Sequence, residues 1–97
     1  MDIYTCSWGP EDSGSTLSGP EQLASRALRN GALTGRGGLG SLYVWAAGNG
    51  GNNDDDCNAD GFVNSIYTIA VNSVDQNGNF PSFAERCSSI IVCRANL

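Results

Sequence analysis

Apolar positions fall into three short runs and one helical stripe, and their order predicts the architecture. The run Leu42-Tyr43-Val44-Trp45-Ala46-Ala47 is continuous and ends abruptly in Gly48-Asn49-Gly50-Gly51. An unbroken apolar segment of about six residues between glycines predicts a strand covered on both faces, as in a parallel sheet flanked by helices. Upstream, Ile3, Tyr4, Cys6 and Trp8 predict a first strand within 2–8, stopped by Gly9-Pro10. A third apolar run covers 66–71. Between the first two runs, Leu23, Ala24, Ala27 and Leu28 recur at helical spacing. Ser18 and Glu21 have the form of a capping box, Pro20 suits a first turn, and Asn30-Gly31 is expected to weaken or end the helix. Strand, helix, strand, loop, strand is a βαβ plan plus a further strand. The predicted class is α/β, a partial doubly wound parallel sheet with a right-handed crossover.

The remaining segments read as connections. Gly35-Arg36-Gly37-Gly38-Leu39-Gly40 matches a dinucleotide pattern, but it follows the helix and precedes the strand, the reverse of the order that chemistry needs. It is a connector. Asn77-Gly78 marks a turn, Pro81 keeps the segment after it out of a central strand, and from Ser88 the apolar character lasts only to Val92. No internal repeat is visible.

Composition limits what this plan can do alone. With 97 residues, 13 of them glycine, three strands would leave sheet faces and edges uncovered, so the chain is expected to be a piece of a larger domain. A net charge of −5 without any Lys/Arg cluster disfavours nucleic acid and anionic membranes and favours cations or basic ligands. No stretch approaches the roughly 18 apolar residues that span a bilayer, and no basic-then-apolar leader is expected in this chain. Cys6, Cys57, Cys87 and Cys93 include no C-x-x-C pair and there is no histidine, which disfavours zinc. Cys6 lies in an apolar run and reads as buried. Cys57 and Cys87 lie beside polar loops, and counting alone leaves their pairing open.

The candidate chemistry lies in loops. Glu11-Asp12 and Asp54-Asp55-Asp56 with Asp60 are placed at strand carboxyl ends, where open α/β sheets bind ligands. Convergence there suits Ca²⁺, which takes six to eight oxygens, or a guanidinium; the alternative is a solvated acidic loop. An EF-hand beginning at Asp56 fails because its twelfth position is Tyr67 in place of a bidentate Glu. Asn49 is either turn chemistry or an amide donor aimed into a site. Without histidine, a Ser–His–Asp system cannot be completed within these residues.

Three segments in order carry a family likeness. Cys6-Ser7-Trp8-Gly9-Pro10-Glu11-Asp12, then Gly35 to Ser41 running into Val44-Trp45-Ala46-Ala47-Gly48-Asn49-Gly50-Gly51, then Asp60-Gly61 and Asn64-Ser65-Ile66-Tyr67-Thr68-Ile69, resemble the catalytic domain of kexin/furin-like proprotein convertases. The resemblance covers 2–89; residues 90–97 diverge. It implies a subtilisin-like fold, with 1–97 a partial peptidase S8 catalytic domain, and a calcium-dependent serine endoprotease that cuts proproteins after basic residues in the secretory pathway. It implies that Asn49 is the oxyanion-hole amide, that Ser7, Trp8, Gly9 and Pro10 align substrate, and that Asp12, Asp60 and the Ala46 carbonyl receive the basic side chain. Calcium ligands fall on Asp12, Asp55 and Glu85, and the family disulfide on Cys57 and Cys87. The family's catalytic Asp, His and Ser have no counterpart among these residues, so the expected product is either a protease fragment or an inactive module that binds calcium or basic peptides. Ser18 stands where an aspartate is usual and Phe62 where a tyrosine is usual, which puts a strict demand for a second, distal arginine in doubt. Ala59 stands where a cysteine is frequent, and Cys93 has no implied partner.

Overall fold

The computed structural model describes residues 1–95. Its elements are β1 (Ile3–Cys6), α1 (Gln22–Thr34), β2 (Leu42–Ala46), β3 (Thr68–Val74) and β4 (Ile90–Ala95), with short 3-10 turns at Arg36–Gly38, Gly50–Asn53 and Cys57–Ala59. The strands form one sheet in the order β1-β2-β3-β4, and every pair is parallel. The chain is an α/β unit built on one parallel sheet, as the apolar pattern implies, and this is compatible with the subtilisin-like fold that the resemblance implies.

Register explains which residues meet α1. Tyr4 pairs with Tyr43, Cys6 with Trp45, Tyr43 with Thr68 and Trp45 with Ala70, so these side chains share one face of the sheet. The core joins Leu28 of α1 to Trp45, Ala70, Ala47, Cys57 and Val63, with the half-buried Cys6 packed against it. The opposite face carries Thr5, Val44, Ala46, Val71 and Ser73 and lines an open cleft of about 730 Å³. The expectation that the central strand is covered on both faces is therefore met on one face only among the described residues, and Leu42 and Ala46 are exposed.

Other expectations shift for identifiable reasons. Helix α1 runs through Asn30-Gly31 to Thr34, because Gly31 sits where the helix presses on the sheet and a Cβ there would collide with the Tyr43 hydroxyl. Its missing side chain is a packing requirement, and Thr34 Oγ1 donates to the Asn30 carbonyl at 2.8 Å. No capping box forms: Glu21 occupies the N-cap position without a side-chain hydrogen bond, and the main chain of Ser18 bridges to Asp60. Strand β3 starts at Thr68, two residues later than the apolar run. Ser65 forms a turn, accepting from the Tyr67 N–H on Oγ at 3.2 Å and from the Thr68 N–H on its carbonyl at 3.2 Å, and leaves Ile66 exposed. Strand β4 is an additional parallel strand; its irregular register between Ala70 and Val71, where Ile91 has no partner, blurs its alternation. No helix among the described residues is long and apolar enough to cross a membrane.

Candidate functional site

The carboxyl end of β2 organises the site. Ala47 extends the pairing by donating its N–H to the Val71 carbonyl at 2.9 Å, and Gly48 then turns the chain with φ of 112°, a conformation open to glycine. The next two N–H groups point at carboxylates from distant segments. Asn49 donates to Asp12 Oδ2 at 2.8 Å and Gly50 donates to Glu85 Oε1 at 2.7 Å. Glycine is needed here for space as well: a Cβ on Gly48 would lie 2.8 Å from Glu85 Oε1 and 2.9 Å from Asp12 Oδ1, and one on Gly50 would lie 2.6 Å from Glu85 Oε1.

Asp12, Asp55 and Glu85 each offer one carboxylate oxygen to a cluster in which all three lie within 4.8 Å of one another. Polar side chains fix the loops that carry them. Asn53 Nδ2 donates to the Asp12 carbonyl at 2.7 Å, and buried Asn72 Nδ2 donates to the Glu85 carbonyl at 2.8 Å. Gly51 reaches across to the segment preceding Glu85 by donating to the Phe83 carbonyl at 3.0 Å. The disulfide Cys57–Cys87, with Cα atoms 5.5 Å apart, ties the loop after Asp55 to the residue two beyond Glu85.

The electrostatics of this cluster are unfavourable without a positive partner. Glu85 is 2% exposed, and burial pushes its carboxyl up to about 7; the Gly50 N–H opposes this, while Asp55, Asp12 and Asp56 add to it. Its Oε2 is buried without a hydrogen-bond partner among the described residues. A buried, unpartnered carboxylate oxygen beside two further carboxylates matches the all-oxygen donor set of a hard cation, so these residues fit calcium.

A second, smaller hollow of about 60 Å³ adjoins the cluster and shares Asp12 with it. It is lined by Ser7, Trp8, Gly9, Pro10, Asp12, Ala46, Gly48, Asn49 and Asp60. Asp60 is aimed by the N–H groups of Phe62 and Val63, which donate to Oδ1 at 2.8 and 3.4 Å. Its Oδ2 lies 3.1 Å from the place a Cβ on Gly9 would occupy, so Gly9 keeps that oxygen accessible. Burial raises the Asp60 carboxyl above its ordinary value, the two N–H donors pull it down, and Asp12 and Asp55 raise it further. The wall is held by Trp45 Nε1, which donates to the Trp8 carbonyl at 2.8 Å, and by ring contacts of Trp8 with Trp45 and Phe62 at 4.9 and 5.3 Å.

The residues singled out in the sequence thus separate into two adjoining groups: Ser7, Trp8, Gly9, Pro10, Asp12, Ala46, Asn49 and Asp60 around the hollow, and Asp12, Asp55 and Glu85 in the carboxylate cluster. Glu11, Asp54 and Asp56 stand outside both; Asp56 instead accepts from the Asn58 N–H at 2.9 Å. Residues not foreseen are Gly48, Gly50, Asn53 and Asn72. Gly-Asn-Gly-Gly after an apolar run signals a close approach of backbone to something, and a polar Asn72 just past the predicted third strand signals a side chain with a job.

Comparison with known proteins identifies the family. The subtilase family matches residues 1–96. Over 91 residues, 94% of this chain, the sequence is 56% identical to Furin-1 of Xenopus laevis and 55% identical to Furin of Homo sapiens. It is 52% identical over 90 residues, 93% of the chain, to Proprotein convertase subtilisin/kexin type 7 of Mus musculus. The chain spans 12% of the length of each of these relatives. With the family matched along nearly its whole length, the chain belongs to the subtilase family.

Proposed function

We propose that this chain supplies the substrate-binding and oxyanion-stabilising part of a calcium-dependent subtilisin/kexin-type serine endoprotease that cleaves proproteins after basic residues in the secretory pathway. The observation that carries the reading is the hollow in which Asp12 and Asp60 meet the end of β2 at Ala46 and Asn49. Two carboxylates and a main-chain carbonyl match the forked donors of a guanidinium better than the single ammonium of lysine, so arginine is the preferred residue. Main-chain groups of Ser7, Trp8 and Gly9 align the peptide beside it. The Asn49 side chain, exposed at the rim, donates its amide N–H to the oxygen that gains charge; losing such a donor costs about 2.7–4 kcal/mol in subtilisin. Asp12, Asp55 and Glu85 hold calcium, which supplies the positive charge that lets three carboxylates sit together.

The hollow and the carboxylate cluster are built from these residues, whereas a Ser–His–Asp system cannot be completed among them, since the sequence has no histidine. That favours, as a second reading, a catalytically inactive module that binds calcium and basic peptides. Both readings are tested by titrating the chain in calcium with a peptide bearing one arginine and with the same peptide bearing citrulline. Tighter binding of the arginine peptide by about tenfold or more is expected, and loss of that difference in Asp60→Asn. Equal affinities would remove the basis of the proposal. Turnover of an Arg-Arg fluorogenic peptide by the purified chain would exclude the inactive module.

A further inference from the structure

Asparagine is followed by glycine at three places in this chain, Asn30-Gly31, Asn49-Gly50 and Asn77-Gly78. Such a pair carries its own modification chemistry, because glycine has no side chain to keep its nitrogen away from the preceding side-chain amide. The glycine nitrogen attacks the asparagine Cγ and a C–N bond closes a succinimide ring. The side-chain NH₂ leaves as ammonia, taking the proton of the glycine N–H. Water then opens the ring at either carbonyl and yields aspartate or isoaspartate.

The three pairs differ in what holds the glycine. Asn30-Gly31 lies inside α1. Asn77-Gly78 is exposed in a turn, where the Gly78 N–H donates to the Asp75 carbonyl at 3.0 Å and no atom lies within 4 Å of the place its Cβ would take. At Asn49-Gly50 the asparagine is exposed and the glycine buried. Both N–H groups are tied to carboxylates, Asn49 to Asp12 Oδ2 at 2.8 Å and Gly50 to Glu85 Oε1 at 2.7 Å. A ψ of 20° at Asn49 nearly eclipses the two nitrogens, so the Gly50 nitrogen is turned away from the Asn49 side chain.

We propose that Asn49-Gly50 is a latent site of self-deamidation that Glu85 keeps closed. Ring closure requires the peptide between the two residues to rotate toward the Asn49 side chain, which withdraws the Gly50 N–H from Glu85 Oε1. Both oxygens of Glu85 would then lack a donor among the described residues, since its Oε2 has none already. Packing opposes the same rotation, because Gly50 is seated against Asp55 and Glu85. Modification would replace an amide donor by a carboxylate, which only accepts, in the wall that Asn49 shares with Asp12 and Asp60. The chemistry is independent of the proposed protease function; on that reading it would end oxyanion stabilisation, and Glu85 sets the working lifetime of the site.

The test follows deamidation of the full chain by peptide mapping and mass spectrometry, at constant pH, temperature and calcium, in buffer and in urea. In buffer Asn49 should react at least about tenfold more slowly than it does in urea. Glu85→Ala should remove that protection while Asn30, inside α1, keeps its own. Equal rates at Asn49 in buffer and urea would overturn the proposal, as would a Glu85→Ala chain in which Asn49 stays protected. If Asn30 loses protection together with Asn49, the variant has unfolded and hydrogen exchange in the unmodified chain decides. Exchange of the Gly50 N–H at least about tenfold slower than that of Gly78 supports the clamp, and any smaller difference overturns it.

Discussion

Gly50 donates its main-chain N–H to Oε1 of Glu85 at 2.7 Å, across 35 residues of sequence, and Oε2 of that carboxylate is buried without a partner among the described residues. One oxygen is held by the main chain, and the carboxylate as a whole stands in a cluster with Asp12 and Asp55. That arrangement, and the loops that build it, determine how the chain should respond to pH, substitution and reduction.

Without a cation, stability should depend on Glu85 in a definite direction. Its folded-state value, about 7, lies above the ordinary 4.5, so the folded chain binds the extra proton and the favourable contribution is complete below 4.5. It is lost as pH rises through 7, by roughly 1–3 kcal/mol. Urea unfolding in chelator at pH 4.5, 6 and 8 should show falling midpoints attributable to this group, and Glu85→Gln should flatten that part of the profile.

Gly48→Ala combines a φ of 112° with a Cβ 2.8 Å from Glu85 Oε1. The expected cost is about 2–4 kcal/mol, from backbone strain and displacement of two carboxylates. Gly37→Ala shares the positive φ but meets nothing within 4 Å, so it should cost less. Comparing the two by chemical denaturation separates crowding at the carboxylate cluster from strain alone.

Reducing Cys57–Cys87 opens a loop with a sequence separation of 30. On chain-entropy grounds this costs about 3–4 kcal/mol. The double variant Cys57→Ser with Cys87→Ser should show the same loss as dithiothreitol treatment, and added reductant should change its midpoint no further.

Trp45→Phe removes the bond from Nε1 to the Trp8 carbonyl and keeps most of the ring packing. A loss of about 1–2 kcal/mol is expected, with weaker binding of arginine peptides because the Trp8 segment is no longer held. Unchanged peptide affinity would show that the Trp8 backbone is positioned by other contacts.

Local chemistry makes part of this molecule legible in its sequence. The apolar run at 42–47 and the glycine-rich end of β2 announce a buried strand feeding a loop, and Asp12, Asp55 and Asp60 are visible as acids at strand ends. Glu85 is not, because it follows Pro81 in a segment without periodicity and is brought in by Asn72 and the Phe83 carbonyl, partners set by tertiary structure. Asn30-Gly31 has the chemistry of a helix stop, yet α1 continues through it, because Gly31 is there to admit the Tyr43 ring. The capping box does not form for a similar reason: the main chain of Ser18 is committed to Asp60 and Gly61, the latter donating to the Ser18 carbonyl at 2.7 Å. Strand β4 is hard to read in advance because its pairing is irregular at Ala70/Val71 and it lies mostly exposed at the sheet edge.

The proposed function has Asp12, Asp55 and Glu85 form a single cation site beside the hollow lined by Asp12 and Asp60, and the rest of that reading depends on it. Isothermal titration of the purified chain with Ca²⁺ decides the matter. One ion should bind per chain, and Glu85→Gln should abolish that binding or weaken it by at least about tenfold. Absence of a binding isotherm in the folded chain, or an isotherm that Glu85→Gln leaves unchanged, would refute the cation site.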